Sequence, residues 1–217
     1  MMNSLFSTFD PMTTKLQMNW ITIFSPLILY PMNFWISKSR IQMMKKMIEM
    51  KLMSEFKTIT KHKEILLLTN SMFLTILMIN FMGLMPYVFT PTSHMSLSMS
   101  MALPMWLMLM IYGWIKFSNH MLSHLLPTGT PQPIMPMMVM IELTGNLIRP
   151  ISLSVRLTAN MIAGHLLMTL LGNMNETKMI MMIMPMQIII MTFESAIAII
   201  QAYVFSTLAT LYSMEIP

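Results

Sequence analysis

Ionisable and amide side chains recur every seven residues along two apolar stretches in the C-terminal half of the chain. Seven residues make almost two helical turns, so on a helix these side chains would form one stripe. The first stretch carries Glu142, Arg149 and Arg156, with Asn146 and Asn160 near the same arc. The second carries Gln187, Glu194 and Gln201. Such groups are costly inside a membrane, so they must face protein, water or the charge of a partner.

The two arginines and two carboxylates of these stretches predict ion or proton movement. Glu142 and Arg149 would lie about 10 Å apart along a helix, which is too far for a direct ion pair. Neither arginine has an acidic residue three or four positions away, and Glu194 could hold only one of them. At least one positive charge is therefore left for water or another subunit. Mutual pairing as a purely structural device is the alternative.

His165 is a further candidate for moving a proton, because histidine titrates near physiological pH. It lies about 140° around the helix from the stripe, so it need not face the same partner, but it could form a relay with Glu194. A purely structural histidine is the alternative. His120 and His124 are four residues apart without an apparent third metal ligand, and we expect no metal and no other cofactor. Motifs of phosphate-binding loops, zinc proteases or serine hydrolases are absent from the sequence, so we do not expect an enzyme.

The composition indicates that these residues act within a membrane. Hydrophobic residues make up 55% of the 217 residues and charged residues only 10%, against about 25% charged in soluble domains. Eleven of the 21 charges lie between Lys38 and Glu64. The rest of the chain cannot form a water-soluble surface, which excludes soluble enzymes, disordered proteins and nucleic-acid-binding domains. The absence of cysteine excludes disulfides and iron–sulfur clusters.

We predict an all-α integral membrane protein with a single membrane domain over residues 1–217. A membrane-spanning helix needs about 20 apolar residues. The predicted segments are an outer N-terminal segment at 1–17, spans at 18–35, 65–89, 98–118, 134–171 and 179–213, and a basic segment at 38–64. The last two spans exceed the hydrocarbon core of about 30 Å, so we expect them to form a long, steeply tilted hairpin. Helical spacing of apolar residues in the basic segment predicts an in-plane amphipathic helix, with a solvated connector as the alternative.

The basic segment predicts the orientation of the chain in the membrane. The methionine content indicates the genetic code from which the chain is translated. Eight of the 13 basic residues lie in residues 38–64, which by the positive-inside rule face the inner compartment. The N-terminus is then outside and, after five crossings, the C-terminus inside. The 35 methionines exceed what flexible packing requires. A mitochondrial genetic code that reads an isoleucine codon as methionine is the simpler explanation.

Two long segments resemble subunit a of the mitochondrial F-type ATP synthase. The segment 147–167 reads LIRPISLSVRLTANMIAGHLL, and the segment 194–212 reads ESAIAIIQAYVFSTLATLY. Phe9-Asp10-Pro11 also matches that family. The resemblance implies that Arg156 faces the carboxylates of a c-subunit ring and separates two aqueous half-channels. It assigns the other candidates to the proton path: Glu142, Arg149, Asn160, His165, Glu194 and Gln201.

The resemblance also implies a direction for that path and a set of partners. Glu142 and Arg149 would line the path to the matrix, whereas His165 and Glu194 would line the path from the intermembrane space. The implied partners are the c ring, other membrane and peripheral-stalk subunits, lipid and protons, in the mitochondrial inner membrane and without nucleic acid. Proton flow would drive a rotation that is coupled to ATP synthesis elsewhere in the complex.

Three other functions are compatible with a charged membrane hairpin. The first is an autonomous secondary transporter or channel, although the internal repeats typical of such folds are not apparent in the sequence. The second is a scaffold subunit of a respiratory complex, which would tolerate loss of the Arg156 charge. The third is an intramembrane enzyme, for which no nucleophile or metal set is apparent.

Overall fold

The computed structural model describes residues 5–12, 17–30, 39–60, 63–85, 88–126, 131–173 and 180–214, and every regular element in these ranges is helical. The α-helices are α1 (Ser25–Leu29), α2 (Arg40–Ile59), α3 (Lys63–Gly83), α4 (Met95–Lys116), α5 (Ser118–His124), α6 (Met135–Asn173) and α7 (Ile180–Met214). Short 3-10 helices span Leu5–Phe9, Met18–Phe24, Pro91–Ser93 and Gln132–Ile134. The predicted all-α integral membrane class is confirmed.

Four of the described helices are long and apolar enough to cross a membrane, namely α3, α4, α6 and α7. The predicted first span, 18–35, is described only as far as Tyr30. Up to that point it consists of the 3-10 helix Met18–Phe24 and the five-residue α1. Residues 31–35 lie outside the described part of the chain, so a fifth crossing stays a prediction.

The helix α2 occupies most of the predicted basic segment. It begins at Arg40 because Ser39 and Gln42 form a capping box, in which each side chain bonds the backbone N–H of the other. Near its other end Phe56 is fully buried, whereas apolar residues of its first half are exposed: Ile41, Met44 and Ile48. This exposed apolar face is available to lipid, and the in-plane orientation stays a prediction.

The helix α3 ends at Gly83, six residues before the end of the predicted second span. The chain passes very close to other elements at this point. A Cβ atom on Gly83 would lie 3.0 Å from Cγ2 of Thr90 and 3.2 Å from Cε of Met161. A side chain here would therefore require these two neighbours to shift by a few tenths of an ångström. The segment that follows contacts α3 and α6. The apolar run continues past this turn, although Gly83 and Pro86 are typical of a helix end.

Small residues allow the long helices to approach one another. Lipid offers no hydrophobic drive for helix association, so close van der Waals packing must supply the attraction. Many of the buried positions of α7 are small, namely Ala198, Ala202, Ser206, Ala209 and Thr210. The hydroxyls of Ser206 and Thr210 donate to carbonyls of the preceding turn, at 2.9 and 2.7 Å, so their polar groups are satisfied without a partner helix. The shared core consists of Phe73, Ile76, Ala102, Leu153, Leu157, Ala202 and Phe205.

The helices α6 and α7 form the predicted antiparallel hairpin. Both continue through an internal proline, and their 39 and 35 residues extend about 58 and 52 Å. Three cross-helix contacts fix the register: Arg149 with Tyr212, Asn160 with Gln201, and Gly164 with Glu194. After the predicted orientation, we name the end at Arg149 the inner end of the hairpin and the end at Gly164 the outer end. The tilt of the hairpin in a membrane stays a prediction.

Candidate functional site

Arg156 lies on the exposed face of α6. Among the described residues it forms neither a hydrogen bond nor an ion pair. It lies one turn from Asn160, which is level with Gln201. The carboxylate of Glu194 lies beside Gly164, eight residues beyond Arg156 on α6, which corresponds to about 12 Å of helical rise. Glu194 is therefore too far along the hairpin to neutralise Arg156, which leaves this charge for a partner outside the chain.

Asn160 and Gln201 connect the two helices beside Arg156. The Asn160 amide donates from Nδ2 to Oε1 of Gln201 at 2.9 Å. Gln201 is 5% exposed, and its own Nε2 has no hydrogen-bond partner among the described residues. A buried amide donor without a partner is costly, so water or another subunit is expected to bind it. These two sequence candidates are brought together by the fold.

His165 and Glu194 lie at the outer end of the hairpin around a cavity of about 170 Å³, which Asn160 and Gly164 also line. Nε2 of His165 and Oε1 of Glu194 are buried and lack hydrogen-bond partners within the described part of the chain. Gly164 makes room for the carboxylate, because a Cβ atom there would lie 2.6 Å from Oε1 of Glu194. The cavity has room for several water molecules, which would satisfy both groups.

A larger cavity of about 830 Å³ continues from this one toward the N-terminal segment. Leu84, His165 and Glu194 line both cavities, so the two share a wall at the candidate proton-transfer groups. Gln187, the outermost member of the predicted stripe on α7, also lines the larger cavity. His165 and Glu194 therefore face one common space, as a relay requires, although His165 lies off the stripe.

Sequence reasoning missed several residues around these cavities. The Phe9 ring meets the imidazole of His165 edge to face, with 6.3 Å between ring centroids. The backbone carbonyl of Phe9 lies 2.9 Å from Nε2 of His94, and Asp10 lines the larger cavity. Helical periodicity cannot connect residues separated by 85 to 156 positions. The only signal was the match of Phe9-Asp10-Pro11 to the family pattern, which carried no spatial information.

The inner end of the hairpin holds the remaining candidates. Glu142 is half-buried and lines a recess of about 60 Å³ together with Asn146 of α6 and Trp114 of α4. The guanidinium carbon of Arg149 lies 5.0 Å from the ring centroid of Tyr212, within the range of a cation–π contact. Glu142 lies 14 residues from Arg156, or about 21 Å along the helix.

Metal chemistry finds no support in the described residues. Within those ranges no group of three or more histidine and acidic side chains is arranged to hold a metal ion. The site therefore offers carboxylate, imidazole, amide and guanidinium groups. Together with water these groups can bind, relay and repel protons.

Comparisons with known proteins cover the whole chain. Residues 12–214 match the sequence model of the family described as ATP synthase A chain. Curated relatives named ATP synthase subunit a include those of Locusta migratoria and Anopheles gambiae, each 49% identical, and of Drosophila melanogaster, 48% identical. Each of these matches covers 100% of this chain and 100% of the relative.

Proposed function

This chain belongs to the ATP synthase A chain family, and from that premise we propose that it is the proton-conducting stator subunit of an F-type ATP synthase. The c-subunit ring and the other membrane and stalk subunits are its proposed partners. The proposed location is the mitochondrial inner membrane, with the basic helix α2 on the matrix side. The N-terminus then faces the intermembrane space and the C-terminus faces the matrix. Catalysis of ATP formation belongs to other subunits.

The position of Arg156 between two separate cavities carries this proposal. The cavities at His165 and Glu194 lie on one side of it, and the recess at Glu142 lies on the other. Arg156 itself is exposed on the hairpin surface. A permanent charge on a membrane helix is tolerated only where it meets water or an opposite charge. An autonomous transporter would supply that charge from its own chain, whereas this arrangement calls for carboxylates on an adjacent subunit.

Proton uptake would begin in the larger cavity, which faces the intermembrane space in the proposed orientation. Water in this cavity would deliver the proton to His165 and Glu194, whose buried polar atoms line it. From there the proton would neutralise a ring carboxylate near Asn160 and Gln201. A neutral carboxyl group crosses lipid at far lower cost than a charged one, so the ring could then rotate.

Arg156 would act as the electrostatic barrier between the two paths. A guanidinium stays protonated at any physiological pH, so its positive charge repels a proton that would pass straight from one cavity to the other. The same charge attracts a ring carboxylate as that group loses its proton. Rotation therefore becomes the favoured route between the cavities.

Proton release would take place at the inner end, along the recess that contains Glu142. The Arg149 guanidinium, which lies beside Tyr212, would keep a second positive charge on this path and favour departure of the proton to the matrix. Each charge that crosses a potential of 100 mV yields about 2.3 kcal/mol. Several transfers must therefore be summed by rotation for each ATP.

The test compares Arg156→Ala with Arg40→Ala in the assembled complex. Arg40 is an exposed arginine at the start of α2, so its replacement removes the same charge away from the hairpin. ATP-driven proton pumping by membrane vesicles, at equal complex content, should be lost in Arg156→Ala and kept in Arg40→Ala. A raised passive proton leak in Arg156→Ala would show in addition that the arginine separates the two paths. Normal ATP-coupled pumping by Arg156→Ala would refute the proposal.

A further inference from the structure

The N-terminal segment, residues 5–12, forms one wall of the larger cavity and places a carboxylate there. Ser7, Thr8, Phe9, Asp10 and Met12 all line this cavity. Asp10 is exposed, so its carboxylate can meet both outside solvent and cavity water. The mechanism proposed above uses no part of this segment.

Two side chains from different elements hold this segment in place. Nε2 of His94, at the start of α4, lies 2.9 Å from the carbonyl oxygen of Phe9, so this nitrogen carries the hydrogen. Nδ2 of Asn19 donates to the carbonyl of Asp10 at 3.2 Å. The His94 ring is itself packed 5.2 Å from the ring of Trp20. Two consecutive carbonyls are thus fixed, which immobilises the backbone that carries the Asp10 side chain.

The titratable side chains that face this cavity from the described elements are few and come from three places. They are Asp10 of the N-terminal segment, His165 of α6 and Glu194 of α7. His94 contacts the segment through the Phe9 carbonyl. Asp10 is exposed and Glu194 is buried, so the carboxylates mark the outer and inner limits of one space.

We propose that Asp10 collects protons at the mouth of the outer cavity and that His94 and Asn19 are positioning residues that hold it there. This inference rests on the proposed function. Protons are scarce at neutral pH, so their capture can limit transport. A negative charge at a cleft with low-dielectric walls raises the local concentration of cations and their rate of arrival. The negative charge of Asp10 attracts protons from outside solvent to the cavity water, which leads to His165 and Glu194.

The experiment uses the complete ATP synthase with Asp10→Asn, reconstituted in liposomes. The rate of ATP synthesis is measured against outer proton concentration, at a fixed membrane potential and low ionic strength. The proton concentration that gives half the maximal rate should rise about two- to fivefold, because one attractive charge is lost. The maximal rate at saturating protons should stay unchanged, because the groups beyond the mouth are intact.

Two control variants show whether the effect depends on a carboxylate at the cavity mouth or only on the total negative charge of the chain. Asp10→Glu keeps a carboxylate at the mouth and should behave as wild type. Glu64→Gln removes one acidic charge from the exposed start of α3, far from the lining of this cavity, and should also leave half-saturation unchanged.

His94→Phe keeps an aromatic ring but loses the donor to Phe9. When Asp10 is present, this substitution should raise the proton concentration that gives half the maximal rate. When it is combined with Asp10→Asn, it should cause no further rise.

Ionic strength provides a readout that a packing role would not change. The Debye length falls from about 10 Å at 0.1 M salt to about 3 Å at 1 M, so the difference between Asp10→Asn and wild type should disappear at high salt. In the wild-type complex, the proton concentration that gives half the maximal rate should also rise as salt is added. Unchanged half-saturation in Asp10→Asn, or a difference that persists at high salt, would overturn the inference. Failure of the proposed function is distinguishable, because Arg156→Ala would then keep ATP-coupled pumping whatever Asp10 does.

Discussion

The two ends of the α6–α7 hairpin differ in how completely this chain encloses them. At the outer end, His165 and Glu194 face connected cavities of about 170 and 830 Å³. The walls come from the N-terminal segment, the residues 84–85 and 88–90 that follow α3, and the helices α6 and α7. At the inner end, Glu142 and Asn146 face a recess of about 60 Å³ between α6 and the α4–α5 region.

This difference indicates where partner subunits are needed. Glu194 is 9% exposed, so its surroundings are set by this chain. Glu142 is only half-buried, and its neighbours Ile141 and Leu143 are exposed. In the proposed mechanism the outer path is built within this subunit, whereas the inner path is completed only when another subunit covers this face. Substitutions at the outer end should accordingly have the larger effects.

The largest contrast is expected between Glu194→Gln and Glu142→Gln, which remove one carboxylate at each end. A positioned proton-transfer group contributes about 100-fold or more, and among the described residues that line the smaller outer cavity His165 is the one other titratable side chain. At the inner end water can replace the carboxylate, so we expect a loss below about tenfold. The rate of ATP-driven proton pumping at equal complex content measures both. Equal losses in the two variants would contradict the difference between the ends.

A smaller effect is expected from adding a single methyl group at Gly164. The new Cβ would lie 2.6 Å from Oε1 of Glu194, so the flexible carboxylate must move while the helices stay packed. A displacement of about 1 Å in a reacting group can reduce a rate roughly 100-fold, and we expect at least a tenfold loss with normal assembly. Gly145→Ala is the matched control, because nothing lies within 4 Å of its Cβ position. If both alanine variants pumped at the wild-type rate, Glu194 would not depend on this close approach.

The smallest effect is expected at the Asn160–Gln201 hydrogen bond, which lies between the two ends of the hairpin. Single Asn160→Leu and Gln201→Leu variants and the double variant form a thermodynamic cycle. Side-chain hydrogen bonds between membrane helices contribute about 0.6 kcal/mol on average and at most about 1.7, so we expect a coupling within that range. Unfolding of the purified subunit in detergent measures it. Zero coupling would show that the 2.9 Å contact does not hold the hairpin register.

The sequence predicted the four long helices α3, α4, α6 and α7 because each is a long apolar run between polar segments. The ranges 134–171 and 179–213 lie almost entirely on α6 and α7. The predicted second span extends past the end of α3 at Gly83, because apolar residues continue to position 89 although Gly83 and Pro86 are typical of a helix end. The close approach of Thr90 and Met161 to Gly83 joins distant parts of the chain, and helical periodicity does not report it.

The sequence predicted which residues belong to the candidate site, but not which of them lie close together. Seven-residue spacing identified Glu142, Arg156 and Glu194 as members of polar stripes. It could not tell whether Arg156 lies level with Glu194 or with Gln201, because register depends on packing across the hairpin. The bond from Asn160 to Gln201 places Arg156 one turn from the level of Gln201 and farther from that of Glu194. The contribution of Phe9 and Asp10 came only from the folded chain.

The central claim is that two aqueous paths open to opposite sides of the membrane and do not join within this subunit. The chain contains no cysteine, so Thr169→Cys in the larger outer cavity and Asn146→Cys in the inner recess each introduce one thiol. A membrane-impermeant thiol reagent is added to either side of vesicles that carry the assembled complex, and labelling of this subunit is measured. We predict that Thr169→Cys is labelled only from the outer side and Asn146→Cys only from the inner side. Labelling of both from one side, or of either from both sides, would contradict the account.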